Sequence, residues 1–154
     1  MMVTLPKVRQ GARNRVSNKL PVPVVCNLCS GSIIATDHKS VYGRDFSKWP
    51  YLYLCECCGA YVGMHPNTDI PLGTLADKPL REWRKKAKLP FEWWRGHYKI
   101  DRGLAYKTLA AELNIDVSAC HFGWFDVSQC EKAYSAINLL IEKWAKNGNQ
   151  TKVL

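Results

Sequence analysis

The sequence predicts an α+β protein in which a small β module is followed by a helical region of three or more helices. Three observations support this prediction: two cysteine pairs with equal spacing, short β-type runs beside them, and amphipathic helical patterns in the second half. The predicted order is a flexible basic arm over residues 1–19, the β module over 20–70, a helical region packed on that module over 71–148, and a tail over 149–154.

The cysteine pairs have the spacing of a metal site. Cys26 and Cys29 form one C-x2-C pair, and Cys55 and Cys58 form the second. Each spacing lets a tight turn direct two thiolates at one ion, and two turns supply the four soft ligands of a tetrahedral Zn2+ site. We therefore expect a zinc ribbon with these four ligands and with Cys57 as a spare thiol. Its predicted strands lie at residues 20–25, 33–36, 51–54 and 60–62.

Disulfides or free core cysteines are the alternative interpretation of the pairs. Residues 1–20 carry five basic residues and no long apolar core, so the sequence predicts no signal peptide. A reducing cytoplasmic setting favours metal ligation over crosslinks.

Gly31 and Gly59 follow the pairs at positions where a turn can require a positive φ, which glycine adopts at little cost.

Net charge indicates the class of partner. The chain has 154 residues and a formal net charge of +9 at pH 7. This excess favours a polyanionic partner, of which nucleic acid, DNA or RNA, is the commonest. No stretch approaches the roughly 20 apolar residues that span a bilayer, so we expect a soluble protein with no membrane partner.

Candidate phosphate-binding cations lie in the arm, in the segment between the cysteine pairs, and on one face of a predicted helix. In the arm, phosphate binding and a merely solvated tail are equally open. In segment 37–50, Tyr42 and Trp49 could stack on bases, or both could cover the small apolar face of the ribbon, an alternative that is favoured for Trp49. On the helix, phosphate contact competes with an ordinary solvated face. The candidates are Arg9, Arg13, Arg15, Lys19, Arg44, Lys48, Arg81, Arg84, Lys85 and Lys88.

The predicted helices cover residues 78–88, 102–113 and 127–147. Pro90 is expected to interrupt the first, and the aromatic residues 91–94 are expected to form a short core-packing element after it. Asp101 is the predicted N-cap of the second helix. Asp126 and Gln129 form the predicted capping box of the third.

A second metal site is a further hypothesis, with His65, Cys120, His121 and Cys130 as its candidate ligands. Their spacing fits no common zinc motif. The alternatives are a hydrogen-bonded His65 beside the ribbon and a Cys130 that packs as a small apolar residue. A metal-dependent nuclease would instead use His65, His121 and Asp126, although few carboxylates accompany them.

Several longer segments carry a family resemblance. The two cysteine pairs, "LYLCECCGAYVGMHP", "PLGTLAD" with "LREWRKKAK", "RGLAYKTLAAELNI" and "CHFGWFDVSQC" together resemble a family of zinc-finger-containing proteins of bacteria and tailed bacteriophages. The likeness covers roughly residues 24–135. It implies a small phage-type zinc protein inside a bacterial cell, and it implies no particular reaction.

Three functions are consistent with these patterns. The first is a zinc-stabilised module that binds nucleic acid through the basic arm and the basic helix face. The second is an interaction or inhibitor module that acts on a host or phage protein. The third is the metal-dependent nuclease. No catalytic residue is predicted, because the sequence contains no Ser-His-Asp order, no phosphate-binding glycine loop and no HExxH helix.

Overall fold

The computed structural model describes residues 2–147, so the predicted tail over 149–154 lies outside the described residues. Two compact units divide the chain, one running up to Pro79 and the other beginning at Leu80. The first contains a three-stranded sheet and the second contains long helices, which confirms the α+β prediction. Among residues 2–147, no helix is both long enough and apolar enough to cross a membrane.

The sheet of the first unit is antiparallel, with strand order β1-β2-β3. Its strands are β1 (Ile33–Asp37), β2 (Tyr51–Cys55) and β3 (Tyr61–Gly63). The register pairs Ile33 with Cys55 and Tyr53 with Val62. Three of the four predicted runs therefore form strands. The prediction of a strand at 20–25 was wrong, since that run forms only one bridge, between Val25 and Ser32. Pro21 and Pro23 lack the N–H groups that a ladder requires.

A small apolar cluster fills the first unit beside β2. Its buried members are Cys26, Tyr53, Cys55, Ala60, Val62, Met64 and Leu75. Two of these seven are cysteines of the predicted zinc site, so the core and the site share side chains. A core of this size leaves a domain marginal by itself, and a structural metal is a common supplement.

The N-terminal segment contains a short helix and makes tertiary contacts, which corrects the prediction that this segment has no helix. Residues Gln10–Asn14 form a short helix, α1, and its Ala12 is 4% exposed. The Val3 N–H donates to the Ala35 carbonyl at 2.9 Å, and Arg13 forms an ion pair with Asp69. These contacts override the low helix propensity of Gly11 and Asn14.

Between β1 and β2 the chain forms a short helix, α2 (His38–Tyr42). The Asp37 side chain caps it by accepting a hydrogen bond from the Ser40 N–H at 2.9 Å. Gly43, with φ of 87°, ends it in the left-handed region.

The first long helix, α3, runs over Lys78–His97 and passes through Pro90, so the predicted stop at Lys88 was wrong. A proline inside a helix removes one backbone hydrogen bond. The continuation buries Phe91 and Trp94, each 0% exposed, on the same side as Ala87. Burial of two large aromatic side chains outweighs the loss of that bond.

The remaining long helices begin at the predicted caps. Helix α4 (Arg102–Leu113) starts where the Leu104 N–H donates to the Asp101 carboxylate at 3.3 Å. Helix α5 (Val127–Asn147) starts at a reciprocal capping box, in which Asp126 and Gln129 exchange hydrogen bonds of 2.8 and 2.9 Å. Two single-turn 3-10 segments, Val117–Ala119 and Phe122–Trp124, connect these helices.

Candidate metal centre

The structure brings together the four cysteines that the spacing predicts as ligands. The sulfur atoms of Cys26, Cys29, Cys55 and Cys58 all lie within 4.8 Å of one another. The Cys26 and Cys58 sulfurs are 3.8 Å apart, and those of Cys29 and Cys55 are 3.4 Å apart. A tetrahedral ion with Zn–S bonds of about 2.3 Å requires sulfurs about 3.8 Å apart. The cluster therefore has the size and the donor set of a Zn2+ site.

Backbone hydrogen bonds place each pair at the end of a hairpin. The Cys26 N–H donates to the Gly31 carbonyl at 2.9 Å, and the Cys55 N–H donates to the Ala60 carbonyl at 2.8 Å. A third bond of 3.0 Å, from the Glu56 N–H to the Ser32 carbonyl, joins the two hairpins. Backbone N–H groups of Leu28, Gly31 and Cys58 also lie 3.4 Å from the sulfurs of Cys26, Cys29 and Cys55 respectively.

The two glycines beside the pairs serve different purposes, and the prediction for one of them was wrong. Gly59 has the expected positive φ, 79°. The positive φ near the first pair instead belongs to Ser30, at 64°. At Gly31 a Cβ would lie 2.6 Å from the Cys57 Cβ and 3.0 Å from the Cys55 sulfur. Glycine is required at 31 because the two hairpins approach each other too closely for a side chain.

Asn27, between the first two ligands, fixes a distant segment to the site. Its side-chain Nδ2 donates to the Leu75 carbonyl, and its Oδ1 accepts from the Leu75 N–H, both at 3.0 Å. Leu75 is 1% exposed and belongs to the apolar cluster. This role of Asn27 is not predictable from the sequence, because an amide between two cysteines gives no local indication of a partner 48 residues away.

The pKa values of the Cys55 and Cys29 thiols are shifted in opposite directions. N–H donation from Cys58, with a smaller contribution from Cys57, lowers the pKa of Cys55 to about 6. At Cys29 the Gly31 N–H lowers the pKa, but hydrogen bonds with the neighbouring cysteines and partial desolvation of the sulfur outweigh it and raise the pKa to about 12. Of these two thiols, Cys55 therefore loses its proton at the lower pH, and Cys29 keeps its proton to higher pH. A divalent cation that binds all four sulfurs must displace that proton.

Four protein ligands close a tetrahedral site and leave no position for a substrate or a reactive water. Cys26 and Cys55 are buried, whereas Cys29 and Cys58 are exposed at the surface of the hairpins. Cys57 is exposed and lies outside the cluster. The arrangement is therefore that of a structural zinc site, which holds two hairpins together.

Comparison with known proteins agrees with this site. A family model described as a zinc-finger-containing domain matches residues 22–139, well over half of the chain. The chain belongs to this zinc-finger-containing family. All four cysteines of the cluster fall within the matched residues. No curated protein and no solved structure matches the chain.

The structure of this zinc-finger-containing domain does not bring the candidate ligands of the second metal site together as one group. Within residues 2–147, the four-cysteine cluster is the one group of three or more His, Cys, Asp or Glu side chains placed to share an ion. His121 stacks on Trp124 at 4.2 Å, and Asp126 caps α5. Cys120 and Cys130 are 2% and 0% exposed, and burial raises the pKa of each thiol to about 11. His121 is stacked, Asp126 caps a helix, and Cys120 and Cys130 are buried, so each has a structural role. Neither the second metal site nor the nuclease gains support from these positions.

Seven of the ten candidate phosphate-binding cations are exposed: Arg9, Arg15, Lys19, Arg44, Lys48, Lys85 and Lys88. The other three are half-buried. Arg13 forms the ion pair with Asp69, and Arg84 donates to the Phe125 carbonyl at 3.0 Å. Arg81 also has a partner within the fold. The predicted cationic face of the helix is therefore smaller than the sequence indicates.

The aromatic residues between the cysteine pairs divide into a packed and an exposed set. Trp49 donates from Nε1 to the Thr68 carbonyl at 2.9 Å and packs on Tyr51, so it covers the apolar cluster. Tyr42 and Phe46 are 44% and 55% exposed and meet edge to face at 5.4 Å. Arg44 lies 4.5 Å from the centre of the Phe46 ring. Phe46, which was not among the predicted site residues, completes an exposed aromatic surface.

Proposed function

We propose that this protein binds nucleic acid through the first unit, and that zinc holds the binding surface in shape. The observation that carries this proposal is the imbalance of exposed charge. In residues 2–79 two carboxylates, Asp45 and Glu56, are exposed. Eight cations are exposed in the same range: Lys7, Arg9, Arg15, Lys19, Lys39, Arg44, Lys48 and Lys78. Such a surface attracts a phosphate backbone and releases its counterions.

The exposed aromatic pair supports the same function. Tyr42 packs edge to face against both Phe46 and Tyr61, at 5.4 and 5.5 Å, so its ring is held in place. Rings held in this way offer faces on which bases stack, and base stacking contributes about 1–3 kcal/mol per base. Arg44 supplies a cation beside the Phe46 ring for a neighbouring phosphate. Together these groups form the base-contacting part of the proposed surface.

The zinc site has a positioning role in this proposal. One Zn2+ and four thiolates carry a net charge of about −2, which does not itself attract phosphate. The ion instead fixes the hairpins between which segment 37–50 is presented. We also propose a ribbon-type fold for this module and, as the sequence resemblance implies, a phage-type protein acting inside a bacterial cell.

A salt-dependent binding titration tests the proposal. Zinc-loaded protein is titrated into labelled 20-nucleotide single strands and duplexes of DNA and RNA at 50 to 300 mM salt, followed by fluorescence anisotropy. The double variant Arg44→Glu, Lys48→Glu should weaken binding at least tenfold and lower the salt slope by about 0.7–0.9 per lost phosphate contact. Lys146→Glu, an exposed lysine of α5, is the matched control and should have little effect. Failure of the unmodified protein to bind any of the four probes at 50 mM salt would sink the proposal.

A further inference from the structure

The second unit exposes an unusual apolar face on α3. Leu89 is 71% exposed and Trp93 is 52% exposed, and they lie four residues apart on the same side of the helix. His97, one turn further, stacks on the Trp93 indole at 4.6 Å with an interplanar angle of 10°. We call Leu89, Trp93 and His97 the Leu89–Trp93 face. Large exposed apolar side chains grouped in this way mark interaction sites more often than isolated ones do.

A groove adjoins this face. Its volume is about 490 Å³, and its lining residues are Glu82, Lys85, Lys86, Leu89, Pro90 and Tyr134. The Lys86 ammonium lies 4.6 Å from the centre of the Trp83 ring and 5.1 Å from that of Tyr134. This lysine is thus positioned over two rings, and its charge lies beside the apolar part of the groove.

The charge around the groove is mainly positive. Lys85 and Lys86, both exposed, line the groove, and Glu82 is the carboxylate that lines it. Apolar side chains provide the contact area, and the lysines select the sign of charge of whatever binds. The complementary ligand carries apolar side chains with carboxylates beside them.

We propose that the Leu89–Trp93 face and its groove bind an acidic amphipathic peptide segment of another protein. Apolar side chains of the segment, spaced three or four residues apart, enter the groove and cover Leu89 and Trp93, and its carboxylates pair with the lysines. A half-exposed tryptophan that becomes fully buried is a typical centre of such an interface. The interaction involves the second unit alone, so it does not depend on the proposed nucleic-acid surface of the first.

Two other occupants fit less well. A second copy of this chain would bring the same lysines of both copies together, because a two-fold interface places each patch against itself. Nucleic acid would satisfy the lysines, but Leu89 and Pro90 offer it only aliphatic surface, and one face of the exposed Trp93 ring is already covered by His97. The groove therefore suits side chains of a polypeptide.

Peptide display tests this proposal. A displayed library of random 16-residue peptides is selected on the full-length, zinc-loaded protein. Enriched peptides should combine two or more large apolar residues with a net negative charge. Their affinity, measured with synthetic peptides, should fall at least tenfold for Trp93→Ala and for Leu89→Ser. Leu139→Ser is the matched control, because Leu139 is also an exposed helical leucine of this unit, at 50%. Its effect should be less than twofold.

Charge reversal adds a second measurement, the net charge of the selected peptides. This charge would not change if the lysines had only a structural role. Lys85→Glu combined with Lys86→Glu should shift the selected peptides from acidic to basic, because these two lysines line the groove. No enrichment, enrichment of peptides without acidic residues, or binding that survives Trp93→Ala overturns the proposal. A dimer in light scattering, or an oligonucleotide complex, that Trp93→Ala abolishes would also overturn it. Trp93→Ala should leave the nucleic-acid titration of the first unit unchanged, so the two proposals can fail separately.

Discussion

The side-chain amide of Asn27 pairs with both backbone polar groups of Leu75, in two hydrogen bonds of 3.0 Å that connect the first cysteine pair to a segment 48 residues later. The geometry imitates a pair of strand residues, because an amide side chain carries the same donor and acceptor as a peptide group. Through this contact the loop that contains Leu75 becomes part of the zinc module.

Replacement of Asn27 should therefore destabilise the first unit without removing its metal. Asn27→Ala leaves both Leu75 groups without their partner and should cost about 1–3 kcal/mol. Asn27→Asp still accepts from the Leu75 N–H, but it loses the donor to the carbonyl and should also be destabilising. Urea unfolding of zinc-loaded protein measures the change, with Asn138→Ala on the exposed surface of α5 as the control. Unchanged unfolding midpoints would show that the pair does not contribute to stability.

Zinc stoichiometry should separate the ligands from the spare cysteine. Elemental analysis of purified protein should give one zinc per chain. Cys29→Ser and Cys58→Ser should each lose bound zinc and the fold of the first unit, since a structural Zn2+ contributes roughly 10–16 kcal/mol of apparent binding energy in small zinc domains. Cys57→Ser should retain one zinc, because Cys57 lies outside the cluster. A variant at Cys57 that lost zinc as readily as one at Cys58 would contradict this assignment.

Gly31 should tolerate no side chain. Gly31→Ala places a Cβ 2.6 Å from the Cys57 Cβ and 3.1 Å from the Cys29 sulfur, so the hairpins must separate at the metal. We expect a fall in zinc affinity of at least tenfold, measured by competition with a chromophoric chelator. Gly59→Ala meets no atom within 4 Å and should cost only the backbone strain of its positive φ, about 1 kcal/mol. Equal effects of the two substitutions would contradict the crowding at Gly31.

Alkaline pH should destabilise the helical unit. Burial raises the pKa of Cys120 and of Cys130 to about 11, whereas an unfolded thiol has a pKa of about 8.5. Above about pH 8.5 these two thiols lose their protons in the unfolded chain but keep them in the folded chain. Ionisation therefore favours the unfolded chain, and the free energy of unfolding falls as the pH rises from about 8.5 towards 11. Thermal unfolding at pH 7.5 and 10.5 measures the loss.

The matched comparison uses Cys130→Ala and Cys120→Ala. Each variant removes one titrating group, so each should show a smaller fall in melting temperature between the two pH values than the unmodified protein. Burial also raises the pKa of Tyr106, so part of the fall should remain in both variants. An equal fall in all three proteins would show that the buried thiols are not responsible.

Much of the zinc site and several helix ends were predictable because their physical causes are local. A C-x2-C spacing fixes two thiolates on one turn wherever the turn lies. The caps at Asp101 and Asp126 act on N–H groups three residues away. These interactions operate within a single turn of the chain, so the order of residues contains the information.

The wrong predictions concern places where contacts between distant parts of the chain decide the local structure. Helix α3 passes through Pro90 because Phe91 and Trp94 are buried, and segment 10–14 becomes helical because Ala12 and Arg13 find partners elsewhere in the unit. Local helix propensity predicted no helix at either place.

The sequence by itself determined the four ligands, the capped helices and the excess of positive charge. Only the tertiary structure decided which cations remain exposed, that Gly31 is needed for space, that Asn27 holds Leu75, and that Leu89 and Trp93 stay uncovered. The physical reason is distance along the chain, because each of these outcomes depends on which distant groups packing brings together. Residue spacing and helix propensity describe only a single segment, so they do not predict such contacts.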